Sequence, residues 1–161
     1  MRPILAALAG GNFHAADLLC HNGALMHIRG RHQRTPLQSA VVYGRLEVVQ
    51  KLIEYNADIS AEDDYGVTPL HWASESESQD RFKGGSVLRL LLKHGAHINA
   101  RTKNGQTPLH WASQFGMPEV VHLLLELGAD IELKNSDGET ALQKAAGHDE
   151  VVKLLREHGT K

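Results

Sequence analysis

A chain of 161 residues with 42% apolar content has the size of one ordinary domain and enough apolar side chains for a continuous core. Its formal charge of −2 is spread over 17 basic and 19 acidic residues that are scattered rather than blocked, which excludes the electrostatic footprint of a duplex nucleic-acid binder. A single cysteine, Cys20, excludes an internal disulfide, and no stretch approaches the roughly 18 consecutive apolar residues of a membrane span. The apolar setting of Cys20 in "AADLLC" fits a buried thiol in a reducing compartment, so the expected location is intracellular and cytoplasmic. No basic run of the kind read by nuclear import separates cytosol from nucleus.

The first predicted element is a helix. "MRPILAAL" carries an early arginine, but its apolar run from Ile4 to Ala9 is short and polar sequence follows at once, unlike a signal peptide. The wider stretch "PILAALAGGNFHAADLLCHNGA" holds a small residue, a glycine and an apolar helix in an order that recurs further along. "TPLQSAVVYGRLEVVQKLIEYNADIS" begins at Thr35, "TPLHWAS" at Thr68 and again at Thr107, and "TALQKAAGHDEVVKLLREHG" at Thr140. The spacings are 33, 39 and 33, and the surplus of six falls in "SESESQDRFKGG". The unit is therefore 33 residues long, with one insertion, and the chain divides into units at roughly 1–32, 33–65, 66–104, 105–137 and 138–161.

Each unit reads as two short helices and a tip. Thr35, Thr68, Thr107 and Thr140 suit a helix N-cap, and Pro36, Pro69 and Pro108 suit the first helical position. Leu37, Leu70, Leu109 and Leu142, each followed three residues later by alanine, put one large and one small side chain on one face. Gly44, Gly116 and Gly147 end these first helices. The second helices, "EVVQKLI", "SVLRLLL", "EVVHLLL" and "EVVKLLR", carry a one-sided apolar stripe that ends at Gly23, Gly95, Gly128 and Gly159, or at Asn56. Tyr-Gly, Asn-Gly and Asp-Gly pairs between units suit tight hairpin tips.

These residues, with "TPLH" at a period of 33, resemble the ankyrin repeat over essentially the whole chain. The resemblance implies an all-α-dominated repeat solenoid, one domain of stacked antiparallel helix pairs joined by short β-hairpin loops, with irregular first and last units as caps. Gln33 in place of a hairpin glycine, the insertion, and the two residues missing from "KAAGHDE" depart from the pattern. The insertion is expected to lengthen the connection between the two helices of its unit, one route being an extension of the first helix until Gly84 and Gly85 break it. Surface drift or a partner-contacting loop accounts for it, and Ser74 with Glu77 makes a low-information acidophilic kinase pattern.

Eleven histidines invite a metal or catalytic reading. For His71 and His110 the resemblance implies a structural role, hydrogen bonding to the N-cap threonine and neighbouring backbone. His94 and His97 straddle Gly95 and share no helical face, and His14 and His21 lack a carboxylate or thiol partner at metal spacing. No phosphate loop, nucleophile elbow or HExxH helix is present. The expectation is a protein that is not an enzyme and uses neither cofactor nor metal.

What remains is surface. In "TPLHWAS" the tryptophan lies about 200° from the leucine, away from the buried stripe, and the resemblance places this position on a concave face. Ser39, Trp72, Trp111 and Lys144 then form one row. Exposed aromatics there anchor protein interfaces, or else they pack between adjacent first helices; both readings stand at this point. Tyr43 and Phe115 precede helix-ending glycines with nothing in the core stripe demanding an aromatic. The tips alternate in charge: Arg29, Arg31 and Arg34; then Glu62, Asp63, Asp64 and Tyr65; then Arg101 and Lys103; then Lys134 and Asp137. That alternation suits a protein partner, folded or extended, rather than a polyanion. The expected function is a protein-interaction module or adaptor, monomeric in isolation, binding neither nucleic acid nor membrane. The alternative is a scaffold whose groove packs within a larger protein or an oligomer.

Overall fold

The computed structural model describes residues 28–75 and 83–159. The first unit, with His14, Cys20, His21 and Gly23, and the connection 76–82 lie outside the described residues. Helices follow in pairs: α1 (Pro36–Val42) and α2 (Leu46–Glu54), α3 (Pro69–Glu75) and α4 (Lys83–Lys93), α5 (Pro108–Gln114) and α6 (Pro118–Glu126), α7 (Ala141–Lys144) and α8 (Asp149–Gly159). First helices pack on first helices in the order α1, α3, α5, α7, and second helices on second helices in the order α2, α4, α6, α8. The result is a two-layer, all-α repeat solenoid.

Local chemistry starts each first helix. Thr35 Oγ1 accepts from Gln38 N at 3.1 Å while Gln38 Oε1 accepts from Thr35 N at 2.7 Å, so both orphan donors of that helix end are satisfied, with Pro36 just inside. Such caps contribute about 1 kcal/mol each. The leucine and alanine stripe then closes the core: Leu37, Leu70 and Leu109 are 1% exposed, and Ala40 and Ala112 are fully enclosed. On the second helices Val48, Val49, Leu52 and Ile53 of α2 and Val120, Val121, Leu123 and Leu124 of α6 fill the other side. Asn56 holds the left-handed backbone (φ 59) that Gly95 and Gly128 hold in later units.

One glycine expectation needs correction. Gly84 and Gly85 break no helix; they lie inside α4, just after its first described residue, Lys83. The apolar stripe of "SVLRLLL" extends the second helix backwards across them. α8 runs to Gly159, the last described residue, as the sequence expects. At Gly128 the turn is drawn over by Ala129 N donating to Leu124 O at 2.9 Å.

Among the described residues, β character is confined to one bridge between Lys134 and Thr140. Each tip is instead closed by one cross-bond: Gly30 N donates to Arg34 O, Asp63 N to Val67 O, Thr102 N to Gln106 O and Asn135 N to Glu139 O. Neighbouring tips are tied by Asp64 N to His32 O, Lys103 N to Tyr65 O, and Ser136 N to Asn104 O, at 2.9–3.0 Å. Gln33 takes over the left-handed position of the missing glycine (φ 57), and His32 beside it is left-handed too (φ 55).

Candidate functional site

The first-helix row is built on the two histidines. His71 Nδ1 accepts from Thr68 N at 3.2 Å and lies 2.9 Å from Thr68 Oγ1, which leaves Nε2 as the protonated nitrogen, donating to Gln106 O at 3.0 Å. His110 repeats the arrangement, with Thr107 N at 3.2 Å, Thr107 Oγ1 at 2.8 Å and Glu139 O at 3.0 Å. Each ring thus caps its own helix and bonds the tip of the next unit. Burial lowers the pKa of His71 from 6.5 to about 4, against the opposing pull of the Gln106 carbonyl, and burial lowers His110 as well. The sequence reading passed over Gln38, which does the same work: its Nε2 donates to Ala61 O at 3.1 Å and Val67 O at 2.6 Å. Its register, three residues after the threonine, was the available signal.

On this frame sits the aromatic row. Trp72 and Trp111 are half-buried and meet edge to face, centroids 5.4 Å apart at 87°. Phe115, 39% exposed, continues the run at 6.1 Å from Trp111, whose other side touches His71 at 5.5 Å. Arg34 lies over the Trp72 face, its Cζ 4.1 Å from the ring centroid, a cation–π contact. Glu75 is nearby, its pKa raised by burial and pulled back by Arg34. Trp72 Nε1 is enclosed with no acceptor.

Other candidates sit differently. Ser39 is only 8% exposed and its hydroxyl donates to Thr35 O at 3.1 Å, so it is not a member of an accessible row: a side chain this small sinks against its own helix. Lys144 ends the row in an ion pair with Glu139 at 3.3 Å. The Glu139 carboxyl is held below its ordinary pKa first by the Asn135 amide and then by Lys144. Tyr43 is 49% exposed at the end of α1 and, among the described residues, makes no ring contact with the tryptophans. Tyr65 is 58% exposed against the His32 ring.

Asp63 is no charged fingertip. It is 6% exposed, and its Oδ1 accepts from Tyr65 N and Val67 N at 2.9 and 3.0 Å, shaping the tip from inside. Arg101 spends one arm of its guanidinium on Lys134 O at 2.7 Å, while Lys103 is exposed. Ser74 is fully enclosed and donates to Leu70 O at 2.8 Å, which closes it to a kinase. His94 and His97 are both exposed, and among the described residues no group of three or more His, Cys, Asp or Glu is placed to hold a metal ion. Among those residues, too, no helix is long and apolar enough to cross a membrane.

The family described as Ankyrin repeats matches the chain in three overlapping copies, over residues 4–100, 61–135 and 81–161. The chain belongs to the ankyrin repeat family. Its ankyrin units are similar to a stretch of the serine/threonine-protein kinase VIK of Arabidopsis thaliana, 39% identical over 62 residues, which is 38% of this chain and 14% of that protein. They are similar also to ankyrin repeat domain-containing protein 63 of Homo sapiens and of Mus musculus, each 37% identical over 57 residues, 35% of this chain and 15% of the relative. The matching stretch thus spans about one-seventh of these relatives' length. Ankyrin repeats are in general protein-interaction modules, which agrees in kind with the aromatic row. They act without catalysis in general, although one of these relatives is named as a kinase.

Proposed function

We propose that this ankyrin chain is a non-enzymatic interaction module, an adaptor that holds a protein partner against the row of first helices and the tips beside it. The run of half-exposed rings Trp72, Trp111 and Phe115 carries this reading. Aromatic side chains fixed by their neighbours lose little entropy on association and supply large contact areas, the properties of interface anchors. Tyr43, Tyr65 and Lys103 are exposed and Lys144 is partly so, which leaves them open to the same partner, and Arg101 adds charge at the third tip. The frame beneath is rigid because His71 and His110 tie each unit to the next, so the surface is preorganised.

A second reading follows from the relatives, in which the similar stretch occupies a small fraction of a much longer chain. In that setting the row packs against another segment of its own protein or a second copy. Partner capture with the wild type and a Trp72→Ala/Trp111→Ala variant, its fold checked by thermal melting, tests the first reading. A partner retained by the wild type and lost by the folded variant supports it. Equal retention moves the site away from the tryptophans, and a size-exclusion profile that shifts with concentration favours self-association.

A further inference from the structure

The four described tips are equivalent in register, and one of them lacks an internal acceptor. Five residues ahead of each unit's threonine the later tips carry a short polar side chain that turns inward. Asp63 Oδ1 accepts from Tyr65 N and Val67 N, Thr102 Oγ1 accepts from Gln106 N at 3.1 Å, and Asn135 Oδ1 accepts from Asp137 N and Glu139 N at 3.0 and 2.9 Å. In the first tip this position is Gly30, which has no side chain. The N–H of His32, equivalent to those of Tyr65 and Asp137, therefore receives no acceptor from residue 30. In the third tip Thr102 Oγ1 serves Gln106 N rather than the equivalent Asn104 N–H, but only the first tip lacks the side chain altogether. The backbone around it is also unlike the other tips, with His32 and Gln33 both left-handed at φ 55 and 57, a conformation that non-glycine residues adopt reluctantly. Successive N–H groups in such a bend form a concavity suited to an anion.

The side chains around the vacancy are basic. Arg29 donates to Gln33 O at 3.1 Å and Glu62 O at 3.2 Å, both carbonyls, so its charge is not cancelled by these bonds. Arg31 and His32 are exposed. Arg34 stacks on Trp72, and its Nε is enclosed without a partner, which leaves the outer guanidinium nitrogens to meet a ligand. The ion pairs His122–Glu126 and Lys144–Glu139 lie elsewhere. The next tip presents Glu62 and Asp64 to solvent and Glu75 lies near Arg34, so the positive region is one tip wide and suits a single oxyanion rather than a nucleic-acid backbone.

We infer that the first tip is an oxyanion-reading site within the partner surface. A carboxylate or phosphate on a partner's extended segment seats where Gly30 leaves the tip without an internal acceptor, held by Arg31, Arg34 and the His32 N–H. Apolar residues following it on the segment reach Trp72 and Trp111, because Arg34 joins tip to indole. This rests on the interaction-module reading and adds the partner's chemistry to it.

The test uses capped pentapeptides Leu-Leu-X-Leu-Leu with X as aspartate, phosphoserine or asparagine, titrated into the isotope-labelled full chain at low salt while NMR follows the backbone amides of residues 31–33 and the two indole N–H signals. The aspartate or phosphoserine peptide is expected to shift both sets, and whichever binds tighter identifies the oxyanion. The asparagine peptide should bind at least about tenfold more weakly. Arg31→Gln removes an exposed charge, and Gly30→Asp places in the first tip the internal acceptor that Asp63 supplies in the second; Gly30 has φ −87, open to any residue. Each should weaken the charged peptides about fivefold or more. Charged peptides that leave the tip amides unmoved, an asparagine peptide that binds as well, or both variants binding like the wild type would overturn the oxyanion site. In those cases shifted indoles leave the aromatic-row reading standing, and unmoved indoles remove support from both.

Discussion

The unit of α5 and the unit of α7 begin alike and end differently. Both open with a threonine and a side chain three residues on that bonds back to it: His110 to Thr107 N at 3.2 Å, and Gln143 Oε1 to Thr140 N at 2.8 Å. In α5 the helix runs seven residues, Leu109 is 1% exposed, and His110 reaches on to Glu139 O of the following tip. In α7 it runs four residues, Leu142 is only half-buried and Gln143 is exposed. The same local code yields an enclosed core element where a described unit packs on each side, and a shorter, half-buried one where a described unit packs on one side. Most of a unit's stability is thus lent by its neighbours, as expected of a one-dimensional stack. The surface follows suit: α5 carries Trp111, wedged against Trp72, and α7 carries Lys144, turned to Glu139.

Truncating the paired leucines sets the two units directly against each other. Leu109→Ala empties a site enclosed by two units and should lower the free energy of unfolding by about 3 kcal/mol, whereas Leu142→Ala, at a surface that relaxes and admits water, should lower it by about 1 kcal/mol. Urea denaturation followed by far-UV circular dichroism measures both. Equal losses would mean that the last unit is held by more than its contact with α5 and α6.

Acid separates interior from flanking units in another way. The two interior units close their caps with His71 and His110, the flanking ones with Gln38 and Gln143, and only the histidines titrate. His71 stays neutral in the folded chain down to about pH 4, whereas the unfolded chain takes up that proton near 6.5. Between those values the unfolded state binds more protons. Stability is therefore full above pH 6.5 and falls as the pH drops towards 4, by about 3 kcal/mol from His71 alone. His110, lowered for the same reason, acts in the same direction. Glutamine makes the equivalent bonds at position 38 without titrating, so His71→Gln should flatten the pH dependence while costing about 1 kcal/mol or less at pH 7.5. Stability curves from pH 7.5 to 4.5 that run parallel for the two proteins would show that the acid loss comes from elsewhere.

How much of this was legible in the sequence divides along the same line. Caps, proline starts and the leucine and alanine stripe are local, and the threonines at 35, 68, 107 and 140 declare them directly. What neighbours decide was not legible. Reading Ser39, Trp72, Trp111 and Lys144 as one row assumed equal depth at equivalent positions, but depth depends on side-chain size: serine folds back to Thr35 O, and tryptophan cannot. Asp63 was read for its charge although the series Asp63, Thr102, Asn135, each five residues before a threonine, marked an inward acceptor. Gly84 and Gly85 were read as breakers from intrinsic preference, and the packing of α4 on α2 and α6 overrode it.

The smallest contrast lies at the tips, between Gly66 and Gly138. Both are left-handed, at φ 73 and 77, so either changed to alanine should lose about 1 kcal/mol from backbone strain alone. Their surroundings differ. A methyl group at Gly66 would meet Lys103 N of the next tip at 2.8 Å, and that same nitrogen donates the tip-to-tip bond to Tyr65 O; at Gly138 nothing lies within 4 Å. Gly66→Ala must therefore push neighbouring tips apart and lengthen that bond, and should lose about 1 kcal/mol more than Gly138→Ala. Hydrogen exchange localises the difference, since the Lys103 amide should lose protection in the first variant while the Ser136 amide, bonded to Asn104 O one tip further along, keeps it. Equal losses, with Lys103 still protected in Gly66→Ala, would mean that the tips yield independently and that the stack is held by its helices alone.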